Sequence, residues 1–80
     1  MDYCRIIREL REDADMTQQQ VAEVLGTSQT MYARYERGAN ELPIHHLLSL
    51  CKLYKVSSDY ILGLTSDRKL PALNTNSNQP

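Results

Sequence analysis

Residues 17–38 read TQQQVAEVLGTSQTMYARYERG and hold two helix-start signals on either side of a short turn. In Thr17-Gln18-Gln19-Gln20 the threonine can accept from the amide three residues on, while the Gln20 side chain reaches back, which is a capping box. Met16 and Val21 stand at the two positions of a hydrophobic staple. Val21, Ala22, Val24 and Leu25 then form a helical stripe, and Gly26 supplies a left-handed stop. Only Thr27 intervenes before Ser28, an N-cap for a second helix over 29–37 that ends at Gly38. Tyr32, Tyr35 and Met31 give that helix an apolar side and leave Gln29, Thr30, Ala33 and Arg34 on the other. Two short helices joined this way are a helix-turn-helix, whose DNA-binding form lays the second helix in the major groove. The outward side chains suit base edges: Gln can bond two atoms of adenine, Arg two acceptors of guanine, and the Thr methyl can touch thymine. On spacing alone, a pair of amphipathic helices that reads nothing stays open as the alternative.

Outward from this stretch every segment reads as helix or loop. A first helix is expected over 3–14 with Asp2 as cap, since Tyr3, Ile7, Leu10 and Ala14 share a face that Ile6 widens. Arg8 and Glu12, four apart, can pair on its surface. After a loop over 39–42, Pro43 presets a helix start, and Ile44, Leu47, Leu48, Leu50, Cys51 and Tyr54 make a broad apolar face expected to meet more than one neighbour. Ser57 caps a last helix that Gly63 stops, with Asp59 near the positive end of its dipole. No stretch alternates as a strand would and no repeat occurs, so the class is all-α. A domain over 1–64 followed by a flexible tail over 65–80 is expected. Residues 74–80 carry no apolar side chain and read as disordered; Leu70, Ala72 and Leu73 read as a docking remnant or a frayed end.

Eighty residues suffice for one small domain with a modest core, built without Trp or Phe and with five Tyr. The formal net charge of −1 counts mildly against a nucleic-acid partner. Its distribution matters more: acids gather over 9–15, whereas 26–40 holds two Arg against one Glu. Cys4 and Cys51 lack metal-ligand spacing and read as reduced buried thiols. No basic-then-apolar leader and no membrane-length apolar run occur, so a cytoplasmic location is expected. His45-His46 point in different directions and read as solvent-facing rather than metal-binding. No catalytic triad, paired carboxylates or Gly-rich phosphate loop emerges. Enzyme function, a cofactor and a metal are therefore not expected.

The ordered set Ile7-Arg8-Glu9-Leu10-Arg11, Thr17-Gln18, Val21-Ala22, Leu25-Gly26, Tyr35-Glu36-Arg37-Gly38, Pro43, Val56-Ser57, Asp59 and Leu62 resembles the phage-repressor type of helix-turn-helix domain, the Xre/Cro-like family. The resemblance implies a five-helix bundle of the lambda-repressor-like type with its third helix in the major groove. It implies base reading by Gln29, Thr30 and Arg34, with Met31 and Ala33 bordering the groove. Backbone contacts would come from Gln18, Thr27, Ser28, Tyr35, Arg37 and Asn40. It further implies an ion pair, Arg11 with Glu36, bracing the first helix against the third. Two departures stand out. The loop after the third helix, Ala39-Asn40-Glu41-Leu42, lacks the usual basic residues, and Glu41 would repel phosphate. Tyr32 and Tyr35 carry hydroxyls that reach either a phosphate or solvent at the core's edge; the second is expected for Tyr32, and both stay open for Tyr35.

The function expected is a sequence-specific regulator of transcription, a repressor, bound to double-stranded DNA as a homodimer on a near-palindrome. The dimer surface is expected over 56–64, including Ile61 and Leu64, or at 70–73. The alternative is a protein-interaction module, such as an antitoxin, with a toxin or anti-repressor as partner.

Overall fold

The computed structural model describes residues 3–68. Five helices make up its regular structure: α1 (Tyr3–Asp13), α2 (Gln18–Leu25), α3 (Gln29–Arg37), α4 (Ile44–Tyr54) and α5 (Ser58–Ile61). The fold is all-α, and no strand occurs among the described residues. Asp2 as a cap, the apolar residues 70–73 and the disorder expected over 74–80 lie outside the described residues.

Each helix sends one side chain to the centre. Ile7, Val21, Tyr32, Leu50 and Ile61 are the largest fully buried residues. In this arrangement α3 packs on α1 and α2, α4 packs on α2 and α5, and α1 also meets α5. The helix α1 buries Ile6, Ile7 and Leu10, but Ala14 falls past its last turn and is exposed. Among the described residues its surface ion pair is Arg5–Glu9 at 3.0 Å, three residues before the expected Arg8–Glu12. Exposed pairs of this kind contribute well under about 1 kcal/mol, too little for composition to decide between them.

The capping box forms as read: Gln20 N–H donates to Thr17 Oγ1 at 3.1 Å, and Thr17 N–H to Gln20 Oε1 at 2.8 Å. The helix α2 buries Val21, Ala22 and Leu25, whereas Val24 is 50% exposed, because its direction lies well off the stripe those three define. Gly26 takes φ 74°, and Thr27 N–H closes the turn on the Ala22 carbonyl at 3.0 Å. Ser28 Oγ caps α3 through Met31 N–H at 3.1 Å.

Helix α4 departs most from expectation. Pro43 is its N-cap, without a side-chain cap bond. Ile44 and Leu48, expected to pack, are 74% and 53% exposed, while His46 is 7% exposed against the Tyr35 ring. Leu50 is fully buried and Leu47, Cys51 and Tyr54 pack against the core as expected, so the correction falls on Ile44, Leu48 and His46. Burial, together with the neighbouring His45, holds His46 below its ordinary pKa. The thiols Cys4 and Cys51 are free and half-buried. Val56 and Ile61, expected at a dimer surface, are core residues; Leu64 is 71% exposed.

The chain after Gly63 doubles back. Ser57 N–H donates to the Arg68 carbonyl at 3.3 Å, and Arg68 Nη2 meets Asp13 Oδ2 at 3.0 Å. The boundary expected at residue 64 thus precedes residues tied to the end of α1. No described helix is long and apolar enough to cross a membrane.

Candidate nucleic-acid interface

Helical spacing sorts α3 into two sides. Tyr32 and Tyr35 turn inward, with ring centroids 6.5 Å apart in an edge-on contact. Gln29, Thr30, Arg34 and Arg37 are exposed, and Ala33 is half-buried between them. Among the backbone candidates, Ser28 and Asn40 are exposed, Thr27 and Gln18 half-buried. Ser28 already spends its oxygen on the cap. Tyr35 is 6% exposed, so only its margin can reach a ligand.

Beneath this face lies a hydrogen-bonded cluster centred on Glu36. Arg11 donates from Nε to Glu36 Oε2 at 2.7 Å and from Nη2 to Oε1 at 3.1 Å. Its Nη1 meets the Met16 carbonyl at 3.0 Å, so the same guanidinium also holds the chain where it enters α2. The Tyr32 hydroxyl donates to Glu36 Oε2 at 2.6 Å, and Gln18 Nε2 to Oε1 at 3.1 Å. The carboxylate thus receives four donors, two per oxygen, with side-chain exposures of 14% for Arg11 and 5% for Glu36.

These contacts correct the Tyr32 expectation. Its hydroxyl reaches neither solvent nor phosphate, because a buried carboxylate on the next turn of its own helix takes it. Burial and the bond to Glu36 push the Tyr32 pKa up strongly. Burial also pushes the Tyr54 phenol up, to about 12, with the Glu36 charge adding to it. For Glu36 itself burial raises the pKa, but hydrogen bonds from Arg11, Tyr32 and Gln18 outweigh that and hold it below the ordinary 4.5.

A pH dependence follows. A depressed folded value means Glu36 contributes stability above 4.5 and loses it as pH falls through the lower folded value. Unfolding followed by circular dichroism from roughly pH 6 to pH 2 should show a loss of stability in that acid range. The Glu36→Gln variant should lack Glu36's share of it; an unchanged acid limb in that variant counts against the paired carboxylate.

The cluster continues outward. Gln29 Nε2 donates to Gln18 Oε1 at 2.8 Å, so the first outward side chain of α3 is linked through Gln18 to the buried pair. Sequence reading missed this link. Its signal was two glutamines at the starts of adjacent helices, 11 residues apart.

The electrostatics of the face also change on folding. Glu36 is enclosed with Arg11, which leaves Arg34 and Arg37 as the exposed charges of α3. Neither makes an ion pair among the described residues. The −1 of the whole chain therefore does not describe this surface. Glu23 on α2 and Glu41 in the loop after α3 are also exposed, and Glu23 accepts from Gln19 at 3.1 Å. No group of three metal-ligating side chains occurs among the described residues.

Comparison with known proteins gives concordant findings. A family model described as helix-turn-helix matches residues 7–61. The chain is 43% identical over 65 residues to the uncharacterized HTH-type transcriptional regulator YobD of Bacillus subtilis (strain 168), a match covering 81% of this chain and 58% of YobD. It is 39% identical over 63 residues to the HTH-type transcriptional regulator ImmR of the same organism, covering 79% of this chain and 50% of ImmR. The chain thus spans about half the length of these curated relatives. Among solved structures, the P22 c2 repressor protein in complex with synthetic operator 9T is similar at a TM-score of 0.73 and 26% identity. That match covers 81% of this chain and 98% of that one. The bundle is therefore of the lambda-repressor-like type.

Proposed function

We propose a function from one premise: this chain belongs to the Xre/Cro/C1-like helix-turn-helix family. The family is one of DNA-binding transcription regulators rather than an enzyme class. The chain is read here as a cytoplasmic, sequence-specific repressor domain that binds double-stranded DNA and sets α3 in the major groove. The observation that carries this reading is the solvent-facing row Gln29, Thr30 and Arg34, standing on a helix whose tyrosines are buried. Gln18, Thr27, Ser28, Arg37 and Asn40 would border the backbone, with the N–H groups at the start of α2 offered to a phosphate. The Arg11–Glu36 pair would hold α3 at its angle to α1.

One helix reads only a few base pairs. A homodimer with its two α3 helices roughly 34 Å apart would read a near-palindrome on one side of the duplex. The exposed Leu64 is available for that contact.

Enrichment of bound oligonucleotides from a random pool tests the reading, and a preferred near-palindrome is the expected result. On that site Arg34→Ala should weaken binding by about 1–3 kcal/mol and relax one position. Equal weakening on all sequences would make Arg34 a phosphate contact instead.

A second reading, a protein-interaction module of the antitoxin kind, draws on Ile44 and Leu48, exposed one turn apart on α4. Titration against DNA at several salt concentrations separates the two. A steep salt slope supports the first, and a flat or absent response the second.

A further inference from the structure

Among the described residues, the buried side-chain polar atoms without a hydrogen-bond partner are the Tyr54 hydroxyl and Nδ1 of His46. The Tyr54 phenol, pushed up to about 12, keeps its proton near neutral pH. His46 differs, because an imidazole gains its proton there. It stands in the first turn of α4 and is 7% exposed. Its ring centroid lies 5.7 Å from that of Tyr35 on α3 and 4.2 Å from that of His45. From α2 and α5, the helices that α4 packs on, the buried side chains are Val21, Ala22, Leu25 and Ile61, none of which titrates. Tyr3 of α1 spends its hydroxyl on the Leu42 N–H at 3.1 Å. Glu36, next to Tyr35 in sequence, has its four donors already, and Glu41 in the loop before α4 is exposed. Among the described residues no carboxylate pairs with the imidazole.

A neutral imidazole suits this setting, since one of its nitrogens carries no hydrogen and can lie against apolar neighbours. An imidazolium donates from both nitrogens, and Nδ1 would become a buried charged donor with no acceptor. The amino end of α4 is the positive end of its dipole and opposes the same charge, as does His45. The Tyr35 face attracts a cation but gives Nδ1 nothing to bond. We propose that His46 is a proton-operated latch: neutral, it seats the first turn of α4 against Tyr35 of α3, and on taking up a proton it swings out to water and that contact opens. Tyr35 packs edge-on to Tyr32, so the release reaches the inner side of α3 through its rings. Because the folded state refuses the proton, the stabilisation from His46 is whole above the ordinary 6.5. It is lost as pH falls through that value toward the lower folded one. The latch does not depend on what α3 binds, so it stands or falls apart from the DNA reading.

The test follows the full chain, with no ligand, from roughly pH 8 to pH 5. Glu36, held below 4.5, stays charged over that window. Urea unfolding compares the wild type with His46→Phe and with His45→Gln, and NMR follows the histidine and tyrosine rings. The wild-type unfolding constant should rise roughly fivefold or more across the window. His45→Gln, at an exposed position, should keep most of that rise. His46→Phe keeps a ring against Tyr35 but cannot titrate, and should lose the larger part of it. In the wild type the His46 ring signals should titrate at a lower pH than in the urea-unfolded chain, and the Tyr35 ring signals should move with the same midpoint. A His46 midpoint at or above the unfolded value would overturn the latch, as would an equal rise in wild type and His46→Phe. Tyr35 signals that stay fixed while His46 titrates would mean proton uptake without opening, and overturn it too. Should His46→Phe not fold, the two wild-type midpoints decide by themselves.

Discussion

Replacing Arg11 with methionine is expected to destabilise the domain by about 3–5 kcal/mol, the effect of leaving a buried charge without its partner. The Glu36 side chain is 5% exposed, and half of its four hydrogen bonds come from Arg11. Methionine fills similar space but donates nothing. The buried carboxylate then keeps only the Tyr32 and Gln18 donors, and burial works to raise its pKa with the guanidinium no longer opposing it. The Met16 carbonyl loses its donor as well, so the entry to α2 loosens. Urea denaturation at pH 7 measures the loss directly. The double variant Arg11→Met, Glu36→Met should recover a large part of it, because no charge is then stranded. A single-variant loss below about 1 kcal/mol would show that Glu36 regains water and that the pair is an ordinary surface contact.

A second large loss is expected from Leu50→Ala, about 2–5 kcal/mol. Leu50 is fully buried in α4, the helix that packs on both α2 and α5. Its truncation leaves a cavity that the backbones of three helices cannot close together. The two variants differ in what else they change. Arg11→Met disturbs Glu36, Gln18 and Gln29 in turn, so its base preference should blur. Leu50 makes no part of that hydrogen-bonded cluster. Leu50→Ala, measured below its melting point, should bind the selected site with the wild-type order of preferences. If Leu50→Ala also scrambled base choice, the core and the cluster around Glu36 would act as one unit rather than as separate scaffold and reader.

The local signals were strong enough to place the elements. Thr17, Ser28 and Ser57 cap three helices through their own side chains, and Gly26, Gly38 and Gly63 take left-handed angles where the chain turns. Such contacts span two to five residues, so the amino-acid order alone contains both partners. The division of α3 into inner tyrosines and outer Gln29, Thr30 and Arg34 follows from the same short-range periodicity. The family resemblance, carried by ordered residues rather than by chemistry, supplied the prospect of an Arg11–Glu36 contact.

What the linear order left open was which side of a helix faces which neighbour. On α4 the apolar residues outnumber the buried side, so Ile44 and Leu48 were counted inward and His46 outward; packing against Tyr35 reversed this. Tyr32 was placed at the core's edge because nothing along the chain shows that a carboxylate one turn away is buried beside it. The Gln18–Gln29 bond joins residues on different helices, and its direction is set by the charge of a third. Periodicity and capping act within one helix, where the sequence holds all the participants. Donor direction, burial of a charge and the facing of a broad apolar helix depend on atoms brought together from distant positions, and only the tertiary structure decides them.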